Sequence, residues 1–249
     1  METQARGIGR DHTRSRVPTH QSLSGATDDE LLQRMLTTHA ERFGPPFWEF
    51  FTEQVAPALP RQPVIVDLGC GPGLLLRDLS ARFPEGRLHG YDVTPAMVSH
   101  GTQLAFAGTS PVFAVHDVSA QPLPHATNSV DLLSMSSVLH VIDEPLLVLA
   151  EIRRVLAPSG LLLLYDWIRQ PLTSYLAWRR DVLQESPAEN HRRGFRLFPV
   201  HNKYTADDWR WLLAEAGFRI RAETQPRPSH RLFVADRTTS AGVAPAIAV

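Results

Sequence analysis

Ten residues, VIVDLGCGPG at 64–73, limit what this chain can fold into more than any other stretch. Val64, Ile65 and Val66 form a β-branched run of the kind buried in a parallel sheet. Glycines alternate at Gly69, Gly71 and Gly73, where the missing Cβ lets the backbone turn sharply and a ligand lie against it. An apolar helical run follows at Leu74, Leu75, Leu76 and Leu79, and the free N–H groups at its start face that ligand. Strand, glycine turn and helix together predict a cradle for a nucleotide-type cofactor.

The details narrow the cofactor. A dinucleotide fingerprint needs G-x-G-x-x-G, but Leu74 stands where the third glycine belongs, and no lysine follows to make a phosphate loop. Asp67 just before the glycines repels a pyrophosphate and suits a cationic ligand, one carrying an ammonium and a sulfonium. A second strand, Arg87–Val93, ends at Asp92, whose carboxylate can accept from both ribose hydroxyls. Thr94 and Pro95 then start a helix as N-cap and first residue, and Met97 offers an apolar shelf to an adenine. A third strand, Pro111–His116, leads to Asp117, placed to accept from an adenine amino group, with the Val118 N–H beside it. A fourth, Ser129–Met135, leads to Ser136, Ser137 and the segment Val138–Val141.

These motifs in this order resemble the class I S-adenosylmethionine-dependent methyltransferases, over roughly Arg61 to Arg237. VIVDLGCGPG resembles the family's first motif and Asp92 its ribose-binding acid. HDVSAQPLP at 116–124 resembles the adenine-side motif, VDLLSMSSVLHV the fourth-strand motif, and EIRRVLAPSGLLLLYDW at 151–167 the helix, turn and fifth strand that follow. The resemblance implies an α/β fold: a Rossmann-like, seven-stranded, mostly parallel sheet with an antiparallel last strand and helices on both faces. It implies S-adenosyl-L-methionine as cofactor, with Asp67, Gly69, Cys70, Gly71, Gly73, Asp92, Val93, Met97, Asp117, Val118 and Ser134 around it, and no metal.

The resemblance also implies where the acceptor lies, over the tips of the fourth and fifth strands. His140, just after the fourth strand, is the candidate general base, and Asp166 at the end of the fifth strand is a second candidate. The candidate acceptor walls are Phe47, Trp48, Phe51, His140, Trp167, Tyr175, Trp178, Arg192 and Tyr204, although Phe47, Trp48 and Phe51 read more readily as core packing. The segment Ser134-Met135-Ser136-Ser137 lacks the motif of enzymes that methylate exocyclic base nitrogens. The chain also lacks a catalytic cysteine after the fourth strand, the acid of metal-dependent catechol enzymes, and the cysteine trio of arsenic methylation. The expected function is methyl transfer to O or N of a small organic acceptor, such as a secondary metabolite. The alternatives are an RNA or protein methyltransferase using the arginine-rich insertion, and a catalytically silent cofactor-binding partner subunit.

Composition agrees. With 249 residues, 43% hydrophobic, the chain can bury the core of one α/β domain. The net charge of −1 argues against a nucleic-acid partner, despite 25 basic residues of which Lys203 alone is lysine. No stretch of eighteen apolar residues and no apolar signal core is present, which predicts a cytoplasmic protein, and a homodimer is compatible. Cys70 reads as a small loop filler.

The expected organisation is a disordered arm over 1–24, a helical cap over 25–60, the methyltransferase domain over 61–237, and a flexible tail over 238–249. The cap opens on a capping box at Thr27–Glu30, with Leu31, Leu32, Met35, Leu36 and Ala40 on one helix face, and Gly44-Pro45-Pro46 breaks that helix. An insertion over 168–203 carries a helix starting at Pro171, and a capped helix runs over Thr205–Gly217. An antiparallel pair of strands, Phe218–Thr224 and His230–Asp236, closes the sheet.

Overall fold

The computed structural model describes residues 25–238. The expected arm at 1–24 and nearly all of the expected tail lie outside that range. Seven strands form one sheet: β1 (Val64–Leu68), β2 (Arg87–Asp92), β3 (Val112–Val115), β4 (Val130–Ser136), β5 (Leu156–Trp167), β6 (Phe218–Arg227) and β7 (His230–Arg237). Their order is β3-β2-β1-β4-β5-β7-β6. The first five are parallel, and β7 runs antiparallel to both β5 and β6. The order turns back on itself at β1, between β2 and β4. Loops beyond the carboxyl ends of these strands therefore diverge to opposite sides and leave a crevice.

Side-chain alternation along each strand divides the core in two. Val64, Val66 and Leu68 of β1, with Leu162 and Leu164 of β5, pack against Val148, Leu149 and Ile152 of α6 (Pro145–Val155) and Trp209 and Leu213 of α9 (Ala206–Glu215). On the other face Ile65, Leu161, Leu163, Leu232 and Val234 meet Leu75, Leu76 and Leu79 of α4 (Leu74–Arg82) and the aromatic helix α3 (Pro45–Gln54). The short helix α5 (Pro95–Gly101) follows β2, starting at Pro95 as predicted.

The amino-terminal helices behave as the capping signals require. Thr27 and Glu30 exchange side-chain and backbone bonds at the start of α1 (Asp28–Thr37). Helix α2 (His39–Arg42) follows at once, and Gly44 then caps α3 with Pro45 at its first position. The predicted inner face is corrected in part: Leu31 is buried, Leu32, Met35 and Leu36 are half-buried, and Ala40 is exposed. The division of 25–60 from the body is not clean either, because α3 belongs to the main core. Phe47 and Phe51 are each 1% exposed and pack with Tyr165, and Trp48 lies against them with the Arg82 guanidinium 3.4 Å from its ring. These three aromatics are core and not acceptor wall. Phe47→Leu is accordingly expected to lower stability by about 1–2 kcal/mol in urea denaturation, with acceptor KM unchanged; a KM effect without a stability loss would return Phe47 to the site.

The insertion holds two helices, α7 (Leu172–Leu183) and α8 (Pro187–His201). The second was not predicted, since Pro199 and Gly194 both argue against a helix there. Gly194 permits the close pairing: a Cβ on it would come 2.5 Å from Leu176 Cδ2. The buried residues of α7 are Tyr175 and Arg179.

Candidate active site

A cavity lies beyond the carboxyl ends of β1, β2, β4 and β5. Its empty volume is about 1380 Å³, counting the space that opens to solvent. A smaller cavity adjoins it at the glycine loop, and Met35, Arg42, Gly69 and Ser136 border both.

The glycine loop owes its shape to backbone that other residues resist. Gly69, Gly71 and Gly73 have φ of 68°, 51° and 82°, the left-handed region that costs an ordinary residue about 1–2 kcal/mol. A Cβ on Gly69 would stand 2.2 Å from Val138 Cγ2, and one on Gly71 would touch the Met35 sulfur at 3.0 Å. The loop is fastened by Asp92, whose oxygens accept from the Gly71 N–H at 2.9 Å and the Thr94 N–H at 2.8 Å. Burial pushes the Asp92 carboxyl above the ordinary range, opposed by those bonds.

Asp67 is 3% exposed and accepts from Ser134 Oγ at 2.6 Å. Burial raises its pKa to about 7; the Ser134 bond pulls the other way, and the nearby Asp92 adds to the rise. A cation placed beside it would favour the ionised form. Burial, with Asp67 and Asp92, also pushes the Cys70 thiol well up, so it stays a neutral filler.

The predicted cofactor residues separate by place. Gly69, Asp92, Val93, Met97, Asp117 and Val118 line the large cavity. Asp67, Cys70 and Gly71 line the small one. Gly73 caps α4 and packs toward Phe113, and Ser134 lies behind Asp67, so neither lines a cavity wall. Asp117 Oδ1 is occupied by the Ser119 N–H and hydroxyl.

The predicted catalytic pair forms but faces elsewhere. His140 Nδ1 lies 2.7 Å from Asp166 Oδ1, and the two side chains are 1% and 0% exposed. Asp166 also accepts from the backbone N–H groups of Leu139, His140 and Trp167. Neither residue lines the cavity. The carboxylate instead pins the 3-10 turn Leu139–Val141 to the end of β5. His140 and Asp166 thus stand behind the cavity wall, and their bonds fix it.

Of the predicted acceptor residues, Trp167 and Trp178 line the cavity. Tyr175 is fully buried behind them, bonded to His201 Nδ1 at 2.8 Å and to Arg179 at 3.1 Å. Arg192 is exposed on the outer face of α8, and Tyr204 packs on Trp209. Both therefore leave the predicted site.

Several lining residues were not foreseen. Leu31, Arg34, Met35, Thr38 and Arg42 project into the cavity from α1 and α2 at helical spacing. That periodicity was readable, but only its apolar members were counted. Ser136, Ser137, His201 and Arg227 also line it. Ser137 has φ of 56°, uncommon for a residue with a Cβ; its N–H donates to the Tyr165 carbonyl at 2.8 Å and its hydroxyl lies 3.0 Å from His230. His201 stacks on Trp167 with ring centroids 4.0 Å apart and meets His140 edge-on at 5.4 Å.

A doubly wound sheet with a glycine turn after its first strand and an acid at the tip of its second defines a Rossmann-like nucleoside-binding fold. The chain matches, over residues 66–164, the family model described as a methyltransferase domain. It is similar to the malonyl-[acyl-carrier protein] O-methyltransferase of Hahella chejuensis, 34% identical over 108 residues that cover 43% of this chain and 38% of that one. It is also similar to the trans-aconitate 2-methyltransferase of Methylobacterium nodulans, 32% identical over 124 residues covering 47% and 46%. Among solved structures, an S-adenosylmethionine-dependent methyltransferase from Aquifex aeolicus shares the fold, with TM-score 0.59, 20% identity, and coverage of 84% of this chain and 97% of that one. The chain spans 40% or less of the length of the first curated relatives it matches.

Proposed function

We propose that this protein transfers a methyl group from S-adenosylmethionine to an oxygen or nitrogen of a small organic acceptor. One observation carries the reading: a single cavity runs from Asp92, Met97 and Asp117 past Gly69 to Trp167, Trp178 and His201, so that two ligands can lie end to end. The residues present fit the cofactor. Asp92 offers carboxylate oxygens to a ribose, Met97 and Val118 an apolar slot to an adenine, and Gly69 and Gly71 a backbone surface free of side chains. Asp67 stands ready to ionise beside an ammonium. When bound, the cofactor supplies a methyl carbon made electrophilic by its sulfonium.

The chain's own part is orientation. Holding two reactants in line is worth about 7–11 kcal/mol of barrier, and the tryptophan and histidine rings around Trp167 exclude water from the meeting point. His140 and Asp166 contribute by fixing the turn that carries Val138 and Val141 into the cavity. The relatives methylate small acids or carrier-bound acyl groups by name, which supports a small acceptor. The −1 net charge and the absence, among the described residues, of a helix long and apolar enough to cross a membrane support an acceptor in solution.

Asp92→Ala is expected to weaken S-adenosylhomocysteine binding by about 100-fold in calorimetry, the loss of hydrogen bonds to a charged group. Unchanged affinity would remove the ribose assignment. Tight cofactor binding with no methylated product from a labelled donor and a broad extract of small molecules would leave the silent-subunit reading instead.

A further inference from the structure

The acceptor end of the cavity is electropositive. Arg34, Arg42, Arg179 and Arg227 face it, against the carboxylates of Glu41 and Glu185. Arg179 is fully engaged, forking onto Glu185 at 2.5 and 2.9 Å, while Arg34 reaches the same carboxylate only at 3.7 Å. Arg227 pairs with Glu41 and lies 2.9 Å from His230, but its Nε is buried without a hydrogen-bond partner. Arg42 forms no ion pair with any described residue, and its Nε is likewise buried and unpartnered. Burial and the neighbouring Arg227 lower the Arg42 pKa to about 10, so it stays charged at neutral pH.

Arg42 and Arg227 line one cavity with a single ion-paired carboxylate, Glu41 on Arg227, and two cations sharing a partly desolvated site are costly. An anion entering the cavity offsets the repulsion, and a planar carboxylate matches the guanidinium fork. The place is also right. Arg227 lies over the Tyr165 ring at 5.7 Å and near the Trp178 ring at 6.0 Å. Tyr165 pairs in register with Ser136, so Arg227 stands near the ends of β4 and β5.

Resting on the methyl-transfer reading, we propose that the acceptor is an organic acid and that Arg42 and Arg227 together hold its carboxylate. Arg42 also borders the small cavity at the glycine loop. A carboxylate there could come from the donor's own amino-acid end, and the test separates the two sources.

Protein saturated with S-adenosylhomocysteine is titrated calorimetrically with malonate, trans-aconitate and benzoate, and with their neutral methyl esters. At least one acid is expected to bind tenfold or more tightly than its ester. Arg42→Gln and Arg227→Gln should each remove that preference, with S-adenosylhomocysteine affinity within twofold of the parent. Arg42→Lys and Arg227→Lys, which keep the charge, should restore part of it and report on any variant that fails to fold. Three results overturn the proposal: esters binding as well as acids, none of the three acids binding, or Arg42→Gln weakening S-adenosylhomocysteine but not 5′-methylthioadenosine, which lacks the carboxylate. If the parent fails to bind S-adenosylhomocysteine at all, the methyl-transfer reading falls, and the acid titration without it still decides whether the anion site exists.

Discussion

Gly69→Ala is expected to reduce S-adenosylhomocysteine affinity by about 100-fold or more, because two penalties fall on one atom. Alanine resists the φ of 68° at a cost of about 1–2 kcal/mol. Its Cβ would also meet Val138 Cγ2 at 2.2 Å and Val138 Cβ at 3.2 Å. Valine is stiff at χ1, so the contact must be relieved by moving the glycine loop or the turn after β4, and both line the cavity. About 3 kcal/mol of displaced geometry corresponds to about 100-fold in affinity. The double variant Gly69→Ala/Val138→Ala removes the steric part and should recover about tenfold. A single variant that binds like the parent in calorimetry would mean that this loop does not carry the cofactor.

The second large effect belongs to Asp166. Its carboxylate is fully buried and accepts from His140 Nδ1 and from three backbone N–H groups. Removing one partner of a buried pair typically costs about 3–5 kcal/mol, since the remaining donors are left unsatisfied. Asp166→Ala should therefore lower the unfolding free energy by that amount, read as a fall in the urea midpoint with the slope unchanged. Asp166→Asn, which keeps an acceptor oxygen, should lose less. The expected split separates the two roles available to this dyad. A pair that positions the wall loses stability first and turnover in proportion to the misfolded fraction. A pair that moves a proton would lose kcat in Asp166→Asn with stability intact, and that result would return His140 and Asp166 to the chemistry.

Both predictions turn on residues whose identity was plain in the sequence but whose surroundings were not. Gly69 and Asp92 could be placed from local pattern alone, because a strand that stops at a glycine turn and an acid at the next strand's end are short-range facts. The same holds for the capping boxes at Thr27–Glu30 and Thr205–Asp208, each closed within four residues. His140 and Asp166 were correctly located at two adjacent strand ends. Their orientation depended on which way the turn at Ser137 directs the chain, and a positive φ at a serine leaves no periodic trace.

The aromatics of α3 show the same limit from the other side. Four aromatic residues between positions 47 and 51 look alike whether they face a ligand or a sheet, and only the placement of α3 over β5 and β7 makes Phe47 and Phe51 core. In the insertion the reverse occurred. Arg192 drew attention as part of a basic cluster yet is exposed, while Arg227, far along the chain on β6, points into the cavity. Its role depends on strand β6 extending three residues past the predicted end at Thr224, through an irregularity between Thr224 and Arg227.

The sequence by itself determined the doubly wound sheet, the glycine cradle and the acid at residue 92, since each follows from backbone preference and burial pattern over a few neighbouring residues. The tertiary structure alone decided which side chains meet above β4 and β5. That meeting joins Arg42, Trp167, His201 and Arg227, drawn from four separate elements, and contacts between distant segments are fixed by how whole helices and strands pack.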